Sequence, residues 1–395
     1  MIIMKIFFAV LIVICIIFYI MYLWDFALVL LITVIAIPVV MLISMLIARK
    51  SIDVEFAVKS NTAVKKENFP VQIKVTNRSI FPIGKAEAYI DYSNLFNSEA
   101  NTFNLLMPIQ SRNTQNISFQ ISSRYCGIIR INCAYINIYD PLRIFRFRVG
   151  KNIHTEIIVM PEGYEISGHI CSTDRVNEES NTFSEYKAGD DPSEIFDLRG
   201  YNQGDKLNRI HWKLSSKRDE FIVKDYSLPV DIPCMLFLNL KVDSEYRLPV
   251  FDTLIEILVS ISQFMLENER IHSIVYYNSE AGSFIEKNIM NTDSLTEVIH
   301  EIILSADENA VYQSPQNYFA ENNDLSMSSF VCITSNPERK LLEYIGDSID
   351  ADIKNAVVAV TSPKEAENIM TGGSDINIIP VLIGRITSSI KDIEL

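Results

Sequence analysis

The sequence predicts a multidomain fold made of a two-helix transmembrane hairpin (1–50), an antiparallel β-sandwich (51–160) and a doubly wound α/β domain (229–395). Three observations support this. Two long apolar runs open the chain, residues with a period of two follow them, and apolar strands then alternate with helical stripes. A polar surface segment (161–194) and a compact motif (195–228) lie between the sandwich and the α/β domain.

The two apolar runs cover residues 6–23 and 26–48, and Asp25 is the only charged residue between Lys5 and Arg49. Each run reaches the ~18 apolar residues that a helix needs to cross a bilayer. Backbone polar groups in lipid must be paired within the segment, so both runs are predicted to be helical throughout. A cleaved signal peptide fits poorly because a second span begins at once.

The charges flanking the hairpin predict its orientation. Lys5 precedes the first helix, and Arg49 and Lys50 follow the second. The positive-inside rule then places both ends in the cytoplasm. We therefore expect a two-pass protein of the cell membrane with cytoplasmic soluble domains.

Composition limits the partners. The chain has 35 basic and 49 acidic residues, a net charge of −14. This balance disfavours nucleic-acid binding and adhesion of the soluble part to anionic lipid, since both need a basic face. The cysteines form no C-x-x-C motif, which indicates reduced structural thiols in the cytoplasm. They are Cys15, Cys126, Cys133, Cys171, Cys234 and Cys332.

The region 51–160 alternates apolar and polar residues, as strands with one buried face do. Short runs of this kind separated by turns predict an immunoglobulin-like antiparallel sandwich. The alternating residues are Ile52, Val54, Phe56 and Val58; Val71, Ile73 and Val75; Phe103, Leu105 and Met107; and Ile117, Phe119 and Ile121.

The C-terminal region alternates strands with helices, which predicts a mostly parallel sheet covered by helices on both faces. The predicted strands are 234–240, 271–277, 330–334, 357–360 and 376–383, and the predicted helices are 251–266, 294–304 and 338–349. Residue Ser294 can cap the second of these helices. The segment 161–194 is rich in polar residues and is expected to have little regular structure.

The stretch 198–218 is basic within an acidic chain: it holds six basic residues and one acid, Asp205. Gly204 and Asp205 resemble a turn and a helix N-cap, and the apolar residues Leu207, Ile210 and Leu214 have helical spacing. On such a helix four basic residues would share one face. They are Lys206, Arg209, Lys213 and Lys217.

Two interpretations of this basic stretch stay open. It could recognise an acidic partner or a phosphate, or the flanking acids could neutralise it internally. Residues 190–231 contain nine acidic and seven basic residues, so the stretch and its flanks together are close to neutral. The flanking acids are Glu194, Asp197, Asp219, Glu220 and Asp225. His211 and Trp212 fit packing and a hydrogen bond better than a catalytic pair.

The sequence FDLRGYNQGDKLNRIHWKLSSKRDEFIVKDY closely resembles the signature of the family called domain of unknown function 58. The residues that match its pattern are Arg199, Tyr201, Gly204, Asp205, Arg209, Ile210, Trp212 and Lys213. His211 lies within the motif at a position that the pattern leaves open, and Ser216 stands where alanine is commoner. Two further elements resemble the family in the same order. They are Arg124-Tyr125-Cys126-Gly127 and Tyr139-Asp140-Pro141-Leu142-Arg143-Ile144-Phe145.

The resemblance implies a membrane-anchored partner of a MoxR-type AAA+ ATPase, often encoded beside one and beside a transglutaminase-like membrane protein. It also implies that the α/β domain is similar to a von Willebrand factor A domain. From this we expect a non-enzymatic adaptor or scaffold that engages the ATPase, with a neighbouring membrane protein as a second candidate partner. Residues 199–218 would either join the two soluble domains or present a docking surface.

A von Willebrand A domain binds Mg²⁺ through a D-x-S-x-S motif, whose oxygen ligands suit a hard cation. The matching positions here are Asn239, Lys241 and Asp243. A neutral amide and an ammonium replace the first two ligands, so we expect no metal there and no cofactor elsewhere.

Motifs for catalysis are missing from the sequence: it has no G-x-S-x-G elbow and no phosphate-binding loop, and its five histidines lack ligand spacing. Two alternatives to an adaptor remain. One is a hydrolase or phosphate-handling enzyme that uses Asp205 and His211 with Ser215 or Ser216, although nothing supplies an oxyanion hole. The other is a cell-surface adhesin with the soluble part outside.

Overall fold

The structure is a computed structural model of the 395-residue chain. It describes residues 2–22, 25–58, 60–96, 100–150, 152–170, 183–189, 195–202, 205, 209–218, 220–229, 234–242, 246–306, 312–313, 315–322, 326–370, 376–391 and 393–395. The chain divides into two compact units. The first is Met1–Glu162 with Arg247–Asp252 and Ile303–Ala310, and the second contains the remainder.

Two helices begin the first unit, α1 (Ile2–Tyr22) and α2 (Asp25–Ser51). Both are long and apolar enough to cross a membrane, with mean hydropathies of 3.0 and 3.1, and only 6% of each apolar window is buried in the protein. The predicted pair of apolar helices is therefore confirmed. Their side chains are exposed as those of lipid-facing helices are.

Two β-sheets complete the first unit. One has the strand order β1-β3-β6, the other β2-β9-β7-β4-β5, and β8 pairs with β7. Neighbouring strands are antiparallel, except that β2 and β9 are parallel. The strands are β1 Ile52–Ala57, β2 Thr62–Val64, β3 Phe69–Asn77, β4 Ile83–Asn94, β5 Asn101–Ile109, β6 Asn113–Ile121, β7 Gly127–Tyr139, β8 Arg146–Val149 and β9 Ile153–Met160.

One hydrophobic core joins the two sheets. Val71, Ile73 and Val75 of β3 are fully buried and share a cluster with side chains of β4 and β7. Met45 and Ala48 of α2 belong to the same cluster. The end of the second apolar helix is thus packed into the β-rich body, and β1 follows it directly.

The second unit holds a six-stranded sheet with the order β16-β15-β14-β17-β18-β19. Its strands are parallel except for the edge strand β16, which is antiparallel to β15. Smaller sheets have the orders β11-β13-β12 and β10-β20. The strands are β10 Gly168–His169, β11 Phe183–Gly189, β12 Ile195–Gly200, β13 Ile222–Pro229, β14 Cys234–Leu238, β15 His272–Asn278, β16 Ser283–Ile289, β17 Ser326–Thr334, β18 Asp350–Val360, β19 Asn377–Leu382 and β20 Ile393–Glu394.

The remaining helices alternate with these strands. They are α3 Trp212–Arg218, α4 Arg247–Glu267, α5 Thr292–Ser305, α6 Pro315–Glu321, α7 Arg339–Ser348, α8 Pro363–Met370 and α9 Ile386–Ser389. Helix α4 is also long and apolar enough to span a membrane, but 83% of its apolar window is buried in the protein. We therefore assign α4 to the protein core.

Two local predictions need correction, and one strand was not predicted. The amide N–H of Ser294 donates to the Asn291 side chain at 2.7 Å, so Asn291 caps α5 and Ser294 lies in its first turn. The polar segment 161–194 contains strands β10 and β11. Strand β16 was not predicted, because its sequence mixes polar and apolar residues without a clear alternation. Such a sequence fits a partly exposed strand at the edge of a sheet.

Five cysteines lie in the described part of the chain, and all are buried free thiols. Burial raises the pKa of Cys234 and of Cys332 to about 12, so both thiols stay protonated at neutral pH. They fill the six-stranded sheet as small apolar groups. Cys171 lies outside the described residues.

Candidate functional site

The stretch that resembles the family signature is built on an antiparallel pair of strands. Strand β12 pairs with β13, with Arg199 opposite Val223 and Gly200 opposite Ile222. The N–H of Tyr201 donates to the carbonyl of Phe221 at 2.9 Å and extends this ladder by one step. The segment between the strands therefore leaves and returns at one end of the hairpin.

An ion pair closes the start of this segment. The Arg199 guanidinium donates two bonds to the Asp205 carboxylate, of 2.8 and 2.9 Å, and the N–H of Asn202 donates a third at 2.7 Å. The Arg199 hydrogen bond is the main cause that lowers the pKa of Asp205 to about 2, with the Asn202 N–H second. Asp205 thus stays ionised and holds the loop through a bidentate pair.

The single helix predicted from Asp205 onward is interrupted at Ile210 and His211. Helix α3 begins only at Trp212, because Ile210 forms a bridge with Val223 and the His211 N–H donates to the Ile222 carbonyl at 2.8 Å. Pairing with β13 thus keeps these two residues extended. Arg209 precedes the helix, so it does not share a helical face with Lys213 and Lys217. Lys206, Leu207 and Gly204 lie outside the described residues.

The groups imagined as a catalytic triad have separate partners. The ring Nδ1 of His211 accepts the Leu214 N–H at 3.3 Å, which makes His211 a cap of α3. The hydroxyl of Ser215 is buried and accepts the Ile222 N–H at 2.9 Å. The Ser216 hydroxyl donates to the Lys213 carbonyl at 3.3 Å. Among these described residues no hydrogen bond joins Asp205 to His211, or His211 to either serine hydroxyl.

Replacing Ser215 with alanine is expected to loosen this motif. The substitution leaves the buried Ile222 N–H without its acceptor, which costs about 1–3 kcal/mol. Hydrogen exchange at Ile222, measured by mass spectrometry on the full chain in detergent, should quicken accordingly. Ser216→Ala is the matched control, since its exposed hydroxyl bonds only a local carbonyl. Equal exchange in both variants would contradict a structural role for Ser215.

Three aromatic side chains form an exposed patch on this motif, which we call the aromatic patch: Tyr201, Trp212 and Phe221. The Phe221 ring centroid lies 6.2 Å from that of Tyr201 and 6.3 Å from that of Trp212, both edge-on. Trp212 is 61% exposed and Phe221 is 58% exposed. Large rings held together in solvent are characteristic of protein-binding surfaces.

Exposed basic side chains lie beside the aromatic patch. Lys213, Lys217 and Arg218 project from α3, immediately after Trp212. Of the flanking acids, Glu220 is described and exposed. The side chains of Glu194, Asp197, Asp219 and Asp225 lie outside the described residues.

A second candidate site lies at the carboxyl ends of β14 and β17. The chain runs from β14 to β15 on one side and returns to β17 on the other, and open parallel sheets bind ligands where the strand order reverses in this way. The Asn239 amide is buried; it donates to the Thr334 hydroxyl at 3.2 Å and accepts the Lys241 N–H at 3.1 Å. The Lys241 ammonium lies 3.2 Å from the Glu338 carboxylate.

These residues do not fit a magnesium ion. The Asn239 side chain is used by protein partners, and the Lys241 ammonium brings a positive charge that would repel the cation. In the part of the chain that the structure describes, no group of three His, Cys, Asp or Glu side chains could hold a metal. Asp243 lies outside the described residues.

The other two elements of the resemblance form local structures in the first unit. The buried Asp140 carboxylate accepts the N–H groups of Leu142, at 3.1 Å, and Phe145, at 2.6 Å, and so shapes the turn from β7 into β8. The Cys126 N–H donates to Asp252 at 2.7 Å. Gly127 has a φ of +124°, and a Cβ there would lie 2.8 Å from the Asn94 amide nitrogen, so this position needs glycine.

No protein-family model matches the sequence, and neither does any curated protein. Among solved structures, the chain is similar to the CARDB domain of the PF1109 protein from Pyrococcus furiosus, with 12% identity over 27% of this chain and 91% of that chain and a TM-score of 0.21. It is also similar to a cohesin module of a Clostridium perfringens family 33 glycoside hydrolase, with 8% identity over 28% of this chain and 96% of that chain and a TM-score of 0.22.

A third solved structure, the sporulation control protein Spo0M from Bacillus subtilis, has 10% identity over 28% of this chain and 49% of that chain, with a TM-score of 0.18. At these TM-scores the similarities assign neither a fold nor a function to this chain.

Proposed function

We propose that this protein is a non-enzymatic, membrane-anchored adaptor that binds a partner through the aromatic patch and the basic side chains of α3. The observation that carries the proposal is the patch itself: Trp212 and Phe221 are more than half exposed and are held on a hydrogen-bonded motif. Two apolar helices long enough to span a membrane attach this body to the bilayer.

The partner that we propose is a MoxR-type AAA+ ATPase, on the strength of the resemblance to the domain of unknown function 58 family. A transglutaminase-like membrane protein is the second candidate on the same ground. The exposed cations Lys213, Lys217 and Arg218 suit an acidic surface on the ATPase, and the rings suit an apolar side chain within it.

We also propose that the second unit is a von Willebrand A-like domain and that the sheets of the first are an immunoglobulin-like sandwich. The strand order of the six-stranded sheet, with one antiparallel edge strand, supports the first assignment. The shared core of the two sheets supports the second. The ion pair between Lys241 and Glu338 supports a metal-independent mode of recognition.

Co-purification tests the adaptor proposal. The full chain in detergent should retain the ATPase that is encoded beside it in at least one of three states: ATP, ADP or no nucleotide. Trp212→Ala should weaken binding about 30-fold or more, as loss of a central aromatic contact of 2 kcal/mol does. Lys213→Glu with Lys217→Glu should weaken binding and reduce its dependence on salt.

Two control variants distinguish the loss of the aromatic patch or of the α3 charges from a general effect of surface substitution. Leu106→Ala removes an apolar side chain that is 61% exposed on β5, and Lys340→Glu reverses an exposed charge on α7. Both should bind like the wild type. Failure to bind in every nucleotide state, or equal loss in patch and control variants, would argue against the proposal.

The proposed orientation places the soluble units in the cytoplasm. Protease treatment of intact cells should leave a C-terminal tag untouched until the cells are lysed. Digestion in intact cells would favour the adhesin instead. A hydrolytic activity of the purified chain that disappears in His211→Ala but survives in Trp212→Ala would favour the enzyme.

A further inference from the structure

The end of α2 meets basic residues from two loops and from strand β8 of the first unit. The Arg78 N–H donates to the carbonyl of Ser51, the last residue of α2, at 3.0 Å. The Arg112 N–H donates to the carbonyl of Ser79 at 2.9 Å. These bonds bring the β3–β4 and β5–β6 connections to the point where the apolar helix ends.

Strand β8 lies at the same place. The Arg49 guanidinium carbon is 5.9 Å from the centroid of the Phe147 ring, and Phe147 packs on the cluster that contains Met45 and Ala48 of α2. Arg146 precedes Phe147 and is exposed, and its guanidinium donates a hydrogen bond to the Tyr139 hydroxyl on the adjacent strand β7. The turn shaped by Asp140 delivers this strand to the helix.

We define the juxtamembrane basic cluster as Arg49, Lys50, Arg78, Arg112 and Arg146. The Asp53 carboxylate lies 3.9 Å from Arg78 and belongs to an exposed pair, which contributes little. Ile80 lies in the same β3–β4 loop and is 56% exposed. Basic side chains with an exposed apolar residue are typical of surfaces that contact the headgroup region.

We propose that the juxtamembrane basic cluster binds the phosphate groups of anionic phospholipids in the leaflet where α2 ends. The inference rests on the membrane anchoring by α1 and α2, and it is independent of the ATPase. The overall charge of −14 predicted the opposite, but screening limits each charge to roughly 10 Å, so the five local charges decide the interaction. Each basic residue near an anionic surface strengthens binding about fivefold.

Native mass spectrometry tests this proposal. The full chain in detergent is mixed with equal amounts of phosphatidylglycerol and phosphatidylcholine, and the lipids retained by the protein are counted. The wild type should retain phosphatidylglycerol preferentially. The triple variant Arg78→Gln, Arg112→Gln, Arg146→Gln should reduce that preference at least tenfold.

A second triple variant is the matched control: Lys66→Gln, Arg124→Gln, Arg130→Gln. It removes the same charge near the other end of the sheets, since the nine residues of β3 separate Lys66 from Arg78 by about 30 Å. This control should behave as the wild type does. Equal retention of both lipids by the wild type, or equal loss in both triple variants, would overturn the lipid site.

Alkaline carbonate extraction of membranes tests the membrane anchoring separately from the lipid site. Both triple variants should stay in the membrane pellet after alkaline carbonate treatment, because α1 and α2 hold them there. Release of the wild type by carbonate would contradict the membrane anchoring on which both proposals rest. If the wild type stays in the membrane pellet but shows no preference for phosphatidylglycerol, only the lipid site is contradicted.

Discussion

Replacing Asp252 with asparagine is expected to lower the free energy of unfolding of the first unit by about 3–5 kcal/mol. The Lys65 ammonium donates to the Asp252 carboxylate at 2.6 Å, and the two side chains are only 4% and 6% exposed. The other carboxylate oxygen accepts the Cys126 N–H at 2.7 Å. Asparagine keeps the shape but removes the negative charge that Asp252 places 2.6 Å from the buried Lys65 ammonium.

The neighbouring pair of Lys66 and Glu162 is a matched control. Its atoms are also 2.6 Å apart, but the side chains are 56% and 31% exposed. Glu162→Gln should therefore cost less than about 1 kcal/mol. The double variant Lys65→Met, Asp252→Leu should recover most of the stability lost in Asp252→Asn, because it removes both buried charges of the pair together.

Labelling of the buried Cys126 thiol in increasing urea measures these differences on the full chain in detergent. Mass spectrometry of the labelled peptide reports opening at Cys126, beside Asp252. Similar urea midpoints for Asp252→Asn and Glu162→Gln would contradict this prediction. They would show that breaking the buried pair costs no more stability than breaking the exposed one.

Acidification is expected to destabilise the second unit through His272. This side chain is fully buried, and burial lowers its pKa to about 4 while the Arg270 carbonyl opposes the shift. That carbonyl only accepts hydrogen bonds, so Nδ1 carries the proton and Nε2 accepts the Ser262 hydroxyl at 2.5 Å. The native state therefore holds a neutral ring.

The sign of the effect follows from proton binding. Between pH 6.5 and 4 the unfolded chain binds a proton at His272 and the folded chain does not, so stability falls as the pH falls. The loss is on the order of 3 kcal/mol by pH 4 and about 2 kcal/mol by pH 5. Urea unfolding of the full chain at pH 7, 6 and 5, followed by near-ultraviolet circular dichroism, measures it.

Two substitutions isolate this contribution. His272→Gln removes the titrating group and should be less stable at pH 7 but lose less on acidification. His169→Gln changes an exposed histidine of the same unit and should follow the wild-type pH curve. Parallel pH curves for all three proteins would rule out His272 as the source of acid sensitivity.

Periodicity predicted the elements whose burial is one-sided or complete. The alternation of Val71, Ile73 and Val75 appears as the buried face of β3, and the helix predicted over 251–266 lies within α4. Predictions were weakest where pairing with a distant strand determines the local backbone conformation. Ile210 belongs to the apolar residues with helical spacing, yet it forms a bridge with Val223 of β13, and the next residue, His211, bonds the Ile222 carbonyl.

The candidate site was predicted only in part. Arg199, Asp205, His211 and Trp212 were singled out from the signature, but their contacts were not foreseeable: an arginine near an aspartate indicates neither a bidentate pair nor a loop closed by it. The exposure of Phe221, the partner of Trp212 in the aromatic patch, had no signal in the sequence.

By itself, the sequence determined the two apolar spans, the β-rich region and the alternation of strands and helices, because these depend on local hydrophobic patterns. Only the tertiary structure decided which charges are buried, which rings are exposed and which basic residues gather at the end of α2. Lys65 and Asp252 are 187 residues apart, and Arg49 and Phe147 are nearly 100 apart. Contacts over such separations arise from packing, and a local pattern carries no information about them.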